Sequence, residues 1–395
     1  MALILRILIS LSVVALTALF TYLCNLLLLR PGRLRKRLQE LGVNGPPPSS
    51  FVGNIPDVRR IMLETVKNHN PGGISDGVSH DYMSQVFPHI LKWQKEYGPT
   101  FSFSLGTIVV VCISDFDVVK EFCQNKSIEF GRSSYLKTAR GMLLGEDGLI
   151  TSKGKSWAYQ RKKIAPEFFN DKLKGMVDLM VESVTSMVEK WDSLLSGTSE
   201  SIRVDEDLKF LSAEVISKAC FGSNYTFARE IFAKMLKLQD LLSPQHAFVG
   251  LPGFRHIPIK SNRDIWKLGK EIRLSILKAC QHQENGQARF FLQALIEHFG
   301  AGSSDQIVDN CKAMFLAGYE TTATAAAFAL VLLAHNQEWQ THARDEVIEV
   351  LGGQAPCMEK LQKMKVLNMV IYETLRTWGT TKDEETLICL RVSYK

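Results

Sequence analysis

Glu320 and Thr321 are the residues whose types and placement best suit chemistry. They interrupt an apolar run over 313–334 that is long enough for a buried helix. A buried carboxylate needs a partner or a task, and an acid beside an alcohol can deliver protons to a bound dioxygen. Ala317 and Gly318 lie just before them, and their small size would let a flat group approach the backbone. The alternative is an ordinary helix crossing that holds a few buried polar groups.

Two further pairs of residues have the spacing of neighbours on one helix face. Glu373 and Arg376 are three residues apart and can form an ion pair, although an ordinary surface pair has the same spacing. Trp157 and Arg161 are four residues apart in a predicted helix that begins after Lys155. A guanidinium suits a carboxylate partner, whereas Trp157 taken alone would be a core aromatic residue.

The elements that must position these residues predict a mainly α domain with one small β element. Residues 100–114 carry β-branched and aromatic residues around Gly106 and Thr107, which predicts a β-hairpin. Residues 133–154 contain four glycines and little periodicity, so we expect mostly loop there. Apolar periodicity predicts helices over 81–97, 115–124, 155–169, 171–191, 205–221, 226–242, 261–283, 288–298, 305–334, 338–351 and 361–376.

A pocket for an apolar ligand is predicted where two loops meet the Ala317 face of the long helix. The loops cover 133–150 and 243–260. Its apolar lining would imply a lipophilic ligand. Simple loop packing explains the same residues equally well. The candidate lining residues are Leu143, Leu144, Phe248 and Leu251.

The amino-terminal segment predicts a membrane anchor over residues 1–29. No charged residue occurs from Ile7 to Leu29, and a helix of this length spans a bilayer core. A cleaved signal peptide, the alternative, has a shorter apolar region of about 7–15 residues. Five basic residues follow the run closely and only Arg6 precedes it, which places the body in the cytosol. Residues 30–50 are then expected to form a basic, proline-rich hinge, because consecutive prolines favour a stiff extended segment.

Charge and cysteine content exclude several classes of protein. The net charge is +6, and most of the excess lies in the basic run after the anchor, so nothing indicates a nucleic-acid partner. The 8 cysteines are scattered, without a Cys-x-x-Cys pair or zinc-ligand spacing, which predicts reduced thiols and no metal site made of them. No phosphate-binding loop or nucleophile elbow supports another class of enzyme.

Residues 317–322, AGYETT, followed by residues 373–376, ETLR, resemble the oxygen-activating helix and the Glu-x-x-Arg helix of the cytochrome P450 haem-thiolate monooxygenases. Segments over 165–169 and 257–263 resemble plant members of the clan that oxidises gibberellin- and cytokinin-type hormones. The resemblance implies a cytochrome P450-like helical domain with a small β-sheet, here incomplete and covering 51–376. It also implies a haem cofactor, NADPH-cytochrome P450 reductase as the electron donor, a lipophilic small-molecule substrate and a single-pass location in the endoplasmic reticulum membrane.

The family resemblance also implies roles for the residues singled out above. Glu320 and Thr321 would relay protons to dioxygen. Ala317 and Gly318 would lie against the haem. The remaining pairs follow the family in the same way: Trp157 and Arg161 would meet a haem propionate, and Glu373 and Arg376 would lock the core on the proximal side of the haem.

The final segment, residues 377–395, departs from the family pattern. It contains neither a proline turn nor the Phe-x-x-Gly-x-Arg-x-Cys-x-Gly loop that carries the iron ligand. Cys389 is the one cysteine after Arg376, and its surroundings lack the glycines and arginine of that loop. We therefore expect a chain truncated before the ligand cysteine, poorly stable, haem-free and impaired as an enzyme. The alternatives are an inactive splice form or pseudogene product acting as a binding or decoy protein, and a membrane-anchored helical scaffold of another family.

Overall fold

The computed structural model describes most of the chain at the level of elements and side chains. The described residues are 2–49, 52–68, 82–124, 134–197, 201–222, 225–242, 253–282, 291–300 and 302–378.

Helices form almost all of the regular structure in these ranges, as the sequence predicts. The helices are α1 (Ala2–Cys24), α2 (Arg30–Glu40), α3 (Ile55–Asn68), α4 (Tyr82–Val86), α5 (Pro88–Tyr97), α6 (Phe116–Gln124), α7 (Ser134–Leu144), α8 (Gly154–Ile164), α9 (Asn170–Lys174), α10 (Val177–Leu195), α11 (Val204–Phe221), α12 (Tyr225–Leu242), α13 (Lys260–His282), α14 (Phe291–Phe299), α15 (Ser304–His335), α16 (Gln337–Leu351), α17 (Met358–Leu361) and α18 (Lys365–Trp378).

The main hydrophobic core surrounds the first half of α15. Helices α7, α8, α11, α12, α13 and α14 contribute apolar side chains to it, with Phe221, Ile272 and Phe315 among the largest that are fully buried. Burying side chains of this size is the dominant favourable contribution to folding. The core therefore fixes the orientation of α15, the helix that carries the acid and the alcohol singled out above.

The predicted β-hairpin is confirmed and organises a second core. Strands β1 (Thr100–Leu105) and β2 (Ile108–Ile113) pair antiparallel. Phe101 and Phe103 pack with Trp93 of α5, at ring-centroid distances of 6.3 and 5.3 Å from Trp93 respectively. Helix α3 completes this cluster with Val58 and Ile61.

Three local predictions were wrong. The segment 133–154, expected to be mostly loop, contains α7, and the buried Gly141 does not interrupt this helix. Helix α3 was not predicted at all. The single helix expected over 81–97 is divided at Phe87, since the residue before a proline disfavours the helical conformation and Pro88 starts a new helix.

The amino-terminal helix continues past the apolar run. Residues Ala2–Glu40 are helical throughout, with a π-helical turn over Asn25–Leu29. Pro31 lacks the N–H that would bond the preceding turn, which explains the turn's wider geometry. The predicted hinge over 30–50 is therefore helical as far as Glu40 and becomes extended only from Val43 onward.

Two described helices are long and apolar enough to cross a membrane, by length and composition alone. They are Ile4–Glu40 and Ser304–His335. The first is exposed along its apolar run, whereas the second places its first half in the main core. Burial therefore marks Ser304–His335 as a helix of the body, and the amino-terminal helix is the one consistent with membrane anchoring.

Candidate functional site

The residues from Ala317 to Thr321 lie at the boundary between a buried and an open part of α15. All of the fully buried residues of this helix occur between Ile307 and Ala323. Ala317 is exposed within this stretch, although Leu316 and Tyr319 beside it are buried. The helix thus presents a small side chain at an open face, which suits the close approach of a flat group.

Gly318 lies on a different face of α15 from Ala317. A Cβ atom placed on Gly318 would lie 2.7 Å from both Cγ1 and Cδ1 of Ile216, on α11. Such a distance requires a neighbour to shift, so glycine is needed here for the close packing of α11 against α15. The structure places Gly318 in a helix–helix contact, and its predicted haem contact stays a prediction.

Thr321 and Glu320 have different hydrogen-bond partners. The Thr321 hydroxyl donates to the Ala317 carbonyl, one turn earlier, at 2.7 Å. The Glu320 carboxylate receives the amide N–H₂ of Gln239, on α12, with both oxygens at 3.4 Å. Tyr319 donates its hydroxyl to the amide oxygen of Gln239 at 2.6 Å, which orients the Gln239 N–H₂ towards Glu320. Sequence reasoning missed Gln239, because nothing in its local sequence marks it.

A second polar group occurs about three turns earlier on α15 and clamps the loop after α7. Asp309 accepts the backbone N–H groups of Glu146 and Asp147, each at 3.0 Å. Asn310, with no exposed surface, accepts the N–H of Leu149 at 2.8 Å. Gly145 has no room for a side chain against Asp309, and Gly148 is also packed tightly against it. We call residues Asp309 and Asn310, with the loop 145–151, the loop clamp.

Burial shifts the pKa values of Asp309 and of its neighbour Lys312. Desolvation raises the pKa of Asp309, although hydrogen bonds from the backbone of the loop oppose this effect. Desolvation lowers the pKa of the neighbouring Lys312, which donates to the carbonyl of Met142 at 3.3 Å. Asp309 and Lys312 lie 4.0 Å apart, so each charge partly compensates the burial of the other.

The loop clamp also positions α8, the helix with Trp157 and Arg161. Asn310 donates to the side-chain oxygen of Gln160 at 2.8 Å, and Gln160 donates to the carbonyl of Asp147 at 2.9 Å. Trp157 and Arg161 are both exposed on α8. Within the described part of the chain the Arg161 guanidinium has no side-chain partner, so it is available for an acidic group.

Glu373 and Arg376 form the ion pair that their spacing predicts. Arg376 donates to both carboxylate oxygens of Glu373, at 2.7 and 2.5 Å. Both side chains are half exposed or more, and the Glu373 contact raises the pKa of Arg376. On the same helix, Thr374 and Thr377 are buried and bond the backbone one turn earlier. The predicted locking role of the pair stays a prediction.

The apolar residues predicted to line a pocket separate into two groups. Leu143 and Leu144 are buried in the main core. Their burial fits the alternative in which these residues serve simple packing. Phe248 and Leu251 lie outside the described residues.

The second half of α15 differs from the prediction. Burial on most faces was expected as far as Ala334, but the described residues after Ala323 are partly or largely exposed, Leu330 and Val331 among them. Helices α16 and α18 also pack against α15.

The cysteines buried in the main core do not supply a thiolate for a haem iron. Burial raises the pKa of the Cys220 thiol to about 12 and that of Cys280 to about 11, and it raises the pKa of Cys311 as well. Such thiols are neutral, and only a thiolate binds iron in this manner. Among the described residues no group of three or more His, Cys, Asp and Glu side chains could hold a metal ion.

Comparison with known proteins identifies the family. The sequence profile of the family described as Cytochrome P450 matches residues 79–381. Cytochrome P450 714C2 of Oryza sativa subsp. japonica is 42% identical over 373 residues, covering 91% of this chain and 71% of the relative. Cytochrome P450 714B3 of Zea mays is 39% identical over 390 residues, covering 96% of this chain and 73% of the relative.

A third relative, cytochrome P450 714A2 of Arabidopsis thaliana, is 36% identical over 369 residues and covers 88% of this chain and 69% of the relative. The profile match extends over most of the body. Haem is the cofactor of this family. The chain belongs to the cytochrome P450 family.

Proposed function

We propose that this chain comes from a membrane-anchored monooxygenase that inserts one atom of dioxygen into a lipophilic small molecule. The observation that carries the proposal is the acid–alcohol pair beside an exposed alanine, in the part of α15 that packs in the main core. The candidate substrate is a terpenoid hormone of the gibberellin type, because the sequence segments that resemble plant hormone-oxidising members point to that clan. NADPH-cytochrome P450 reductase is the proposed electron donor.

Haem, when bound, supplies the activation of dioxygen at its iron. Thr321 holds its hydroxyl on the Ala317 carbonyl, and a threonine in this position can release that bond and turn towards the open face. Glu320 is held by two bonds of 3.4 Å from Gln239, which is long for a charge-assisted hydrogen bond. Both groups are therefore positioned to move a proton towards the Ala317 face.

We further propose that the 395 residues as they stand do not form the haem-thiolate centre. The buried cysteines of the body carry raised pKa values, and Cys389 does not lie in the family's ligand pattern. The residues present would then supply the oxygen-facing wall, and turnover would require a cysteine loop in addition.

We place the protein in the endoplasmic reticulum membrane with its body on the cytosolic side. The support is the exposed apolar helix at the amino terminus and the basic residues that follow it on α2.

The experiment uses a chimera in which the residues after Arg376 are replaced by the corresponding segment of cytochrome P450 714C2. The chimera, reconstituted with reductase, is expected to incorporate one ¹⁸O atom from ¹⁸O₂ into gibberellin-type substrates. The Glu320→Gln variant of the chimera should bind haem equally and turn over about 10²-fold more slowly, the usual loss when an acid–base group is removed. A haem-loaded chimera that incorporates no label into any lipophilic substrate would contradict the proposal.

A further inference from the structure

Helix α2 is docked on the body and is not a free tether. Leu38 is 7% exposed and packs against Val109 and Val111 of the hairpin, with Leu34 and Val43 beside them. Since α2 continues α1 without a break, the hairpin holds the whole anchor helix at a fixed angle to the body.

Asn54 joins the anchor helix, the extended proline segment, the hairpin and α3 at one point. Its side-chain oxygen accepts from Arg35 of α2 at 3.2 Å and from the backbone N–H of Ser104 at 2.9 Å. Its side-chain N–H₂ donates to the carbonyl of Pro47 at 3.0 Å. Asn54 has no exposed surface, so these bonds are protected from water. The start of α3 is therefore fixed against α2.

The position of Arg35 sets the depth of α3 relative to the membrane. Arg35 lies six residues after Leu29, the last residue of the apolar run, which is about 9 Å along the helix axis. A headgroup layer is roughly 5–7 Å thick on each side of the hydrocarbon core. With α1 across the membrane, Arg35 and Asn54 lie at the outer edge of the headgroup layer.

A groove runs along the exposed side of α3 next to this junction. It has a volume of about 510 Å³. Leu63 is 61% exposed at its floor. Arg59 and Lys67 are exposed and have no side-chain partner within the described residues, whereas Arg60 pairs with Asp57 at 2.9 Å. The lining residues are Val52, Ile55, Pro56, Arg59, Arg60, Leu63, Glu64 and Lys67.

The charge of this junction is strongly positive. Helices α2 and α3 carry eight Lys and Arg residues against Glu40, Asp57 and Glu64, a net charge of +5. Arg35 adds a buried Nε–H that has no hydrogen-bond partner in the described part of the chain. Apolar residues between free basic side chains match the chemistry of a phospholipid, which has an anionic headgroup above acyl chains.

We propose that the α3 groove binds the headgroup of an anionic glycerophospholipid from the membrane that holds the anchor. Arg59 and Lys67 bind the anionic groups, and Leu63 with Val52 contacts the upper part of the acyl chains. The bound lipid holds the body against the membrane in the orientation that the Arg35–Asn54 junction sets. The site rests on the membrane location proposed above and is separate from the oxidation chemistry.

The test uses the full chain in phosphatidylcholine nanodiscs that contain a trace of photoreactive phosphatidylserine or of photoreactive phosphatidylcholine. Cross-linked peptides are mapped by mass spectrometry. The phosphatidylserine probe is expected to label residues 52–67 about 25-fold more than the phosphatidylcholine probe, because Arg59 and Lys67 each contribute about fivefold. The ratio should fall by about fivefold for each neutralised basic residue, the change expected for about 1 kcal/mol, and thus to near one in the Arg59→Gln/Lys67→Gln variant. Glu64→Gln should raise it.

The matched control neutralises two exposed lysines elsewhere on the body, Lys209→Gln and Lys363→Gln, and should keep the wild-type ratio. Hydrogen exchange of the β1 and β2 amides shows whether each variant is folded. Excess inorganic phosphate should not compete with the probe, which separates a lipid site from a site for free phosphate. Equal labelling by both probes overturns the headgroup site while the anchor stands. A chain that is not recovered with the nanodiscs overturns the membrane location as well.

Discussion

Helix α15 carries two polar groups that look alike in the sequence and differ in the structure. The loop clamp, at Asp309 and Asn310, makes bonds of 2.8–3.0 Å to loop backbone and lies in the core. Glu320 is partly exposed and accepts the amide of Gln239 at 3.4 Å. Short bonds that hold the backbone of the loop against α15 make the first group structural. Long bonds at an open face leave the second group available for chemistry.

The largest effect is expected from Asn310→Ala. The change leaves the Leu149 N–H and the Gln160 side chain without their buried partner, which costs about 3 kcal/mol in the free energy of unfolding. Urea unfolding measures it. Asn336→Ala, which removes a side-chain bond at the exposed end of the same helix, is the control and should change the stability by less than about 0.5 kcal/mol. Equal effects of the two changes would refute the division of α15 into two functions.

Gly318→Ala is expected to destabilise the protein by about 2 kcal/mol, because the new methyl group overlaps Ile216. Ile216→Ala removes both atoms that the methyl group would meet. The double variant should therefore lose less stability than the sum of the two single changes, as a double-mutant cycle measures. Additive effects would show that Gly318 is not held by this helix–helix contact.

Gln239→Leu is expected to lower the free energy of unfolding by about 1 kcal/mol, since the buried Tyr319 hydroxyl loses an acceptor. The same change should also lower turnover. In the chimera with a cysteine loop we expect a several-fold lower kcat at unchanged haem content, because Glu320 loses its amide donor. A parallel loss of haem and kcat would make Gln239 merely structural.

Asp309→Asn is expected to have the smallest effect, a change of less than about 1 kcal/mol in the free energy of unfolding. This change should depend on pH. Burial raises the pKa of Asp309, so its contribution to stability is present below its ordinary pKa of 3.8 and is lost as the pH rises through the raised value. The variant keeps the acceptor and cannot ionise. Its stability relative to wild type should rise with pH across this window in urea unfolding, offset in part by the loss of a counter-charge for Lys312. A difference that is constant with pH would contradict the assignment.

The sequence predicted those features that depend on residues close together in the chain. The hairpin over 100–114 follows from β-branched residues around Gly106, and the ion pair of Glu373 with Arg376 follows from helical spacing. The same reasoning failed wherever the partner is distant in the chain. Asn310 bonds residues about 150 positions away, and Gln239 bonds residues 80 positions away.

The sequence feature that could have revealed the loop clamp is the position of Asn310 in the helical repeat of α15. Asn310 lies three residues from both Ile307 and Ala313, on the buried face of α15, where an amide requires a partner. The prolines after the anchor were interpreted as a hinge between the anchor and the body. In the structure Gly45, just before these prolines, packs so closely against the Ser102 carbonyl of the hairpin that no side chain would fit there. Backbone contacts with the hairpin, which no periodicity reveals, hold this segment in place.

The most direct test of the account is the carbon monoxide difference spectrum of the reduced protein, measured with haem content on the 395-residue chain and on the chimera in membranes. The account predicts the thiolate signature in the chimera and its absence in the 395-residue chain. A full thiolate signature from the 395 residues alone would contradict it, since Cys389 or another cysteine of the chain would then hold the iron.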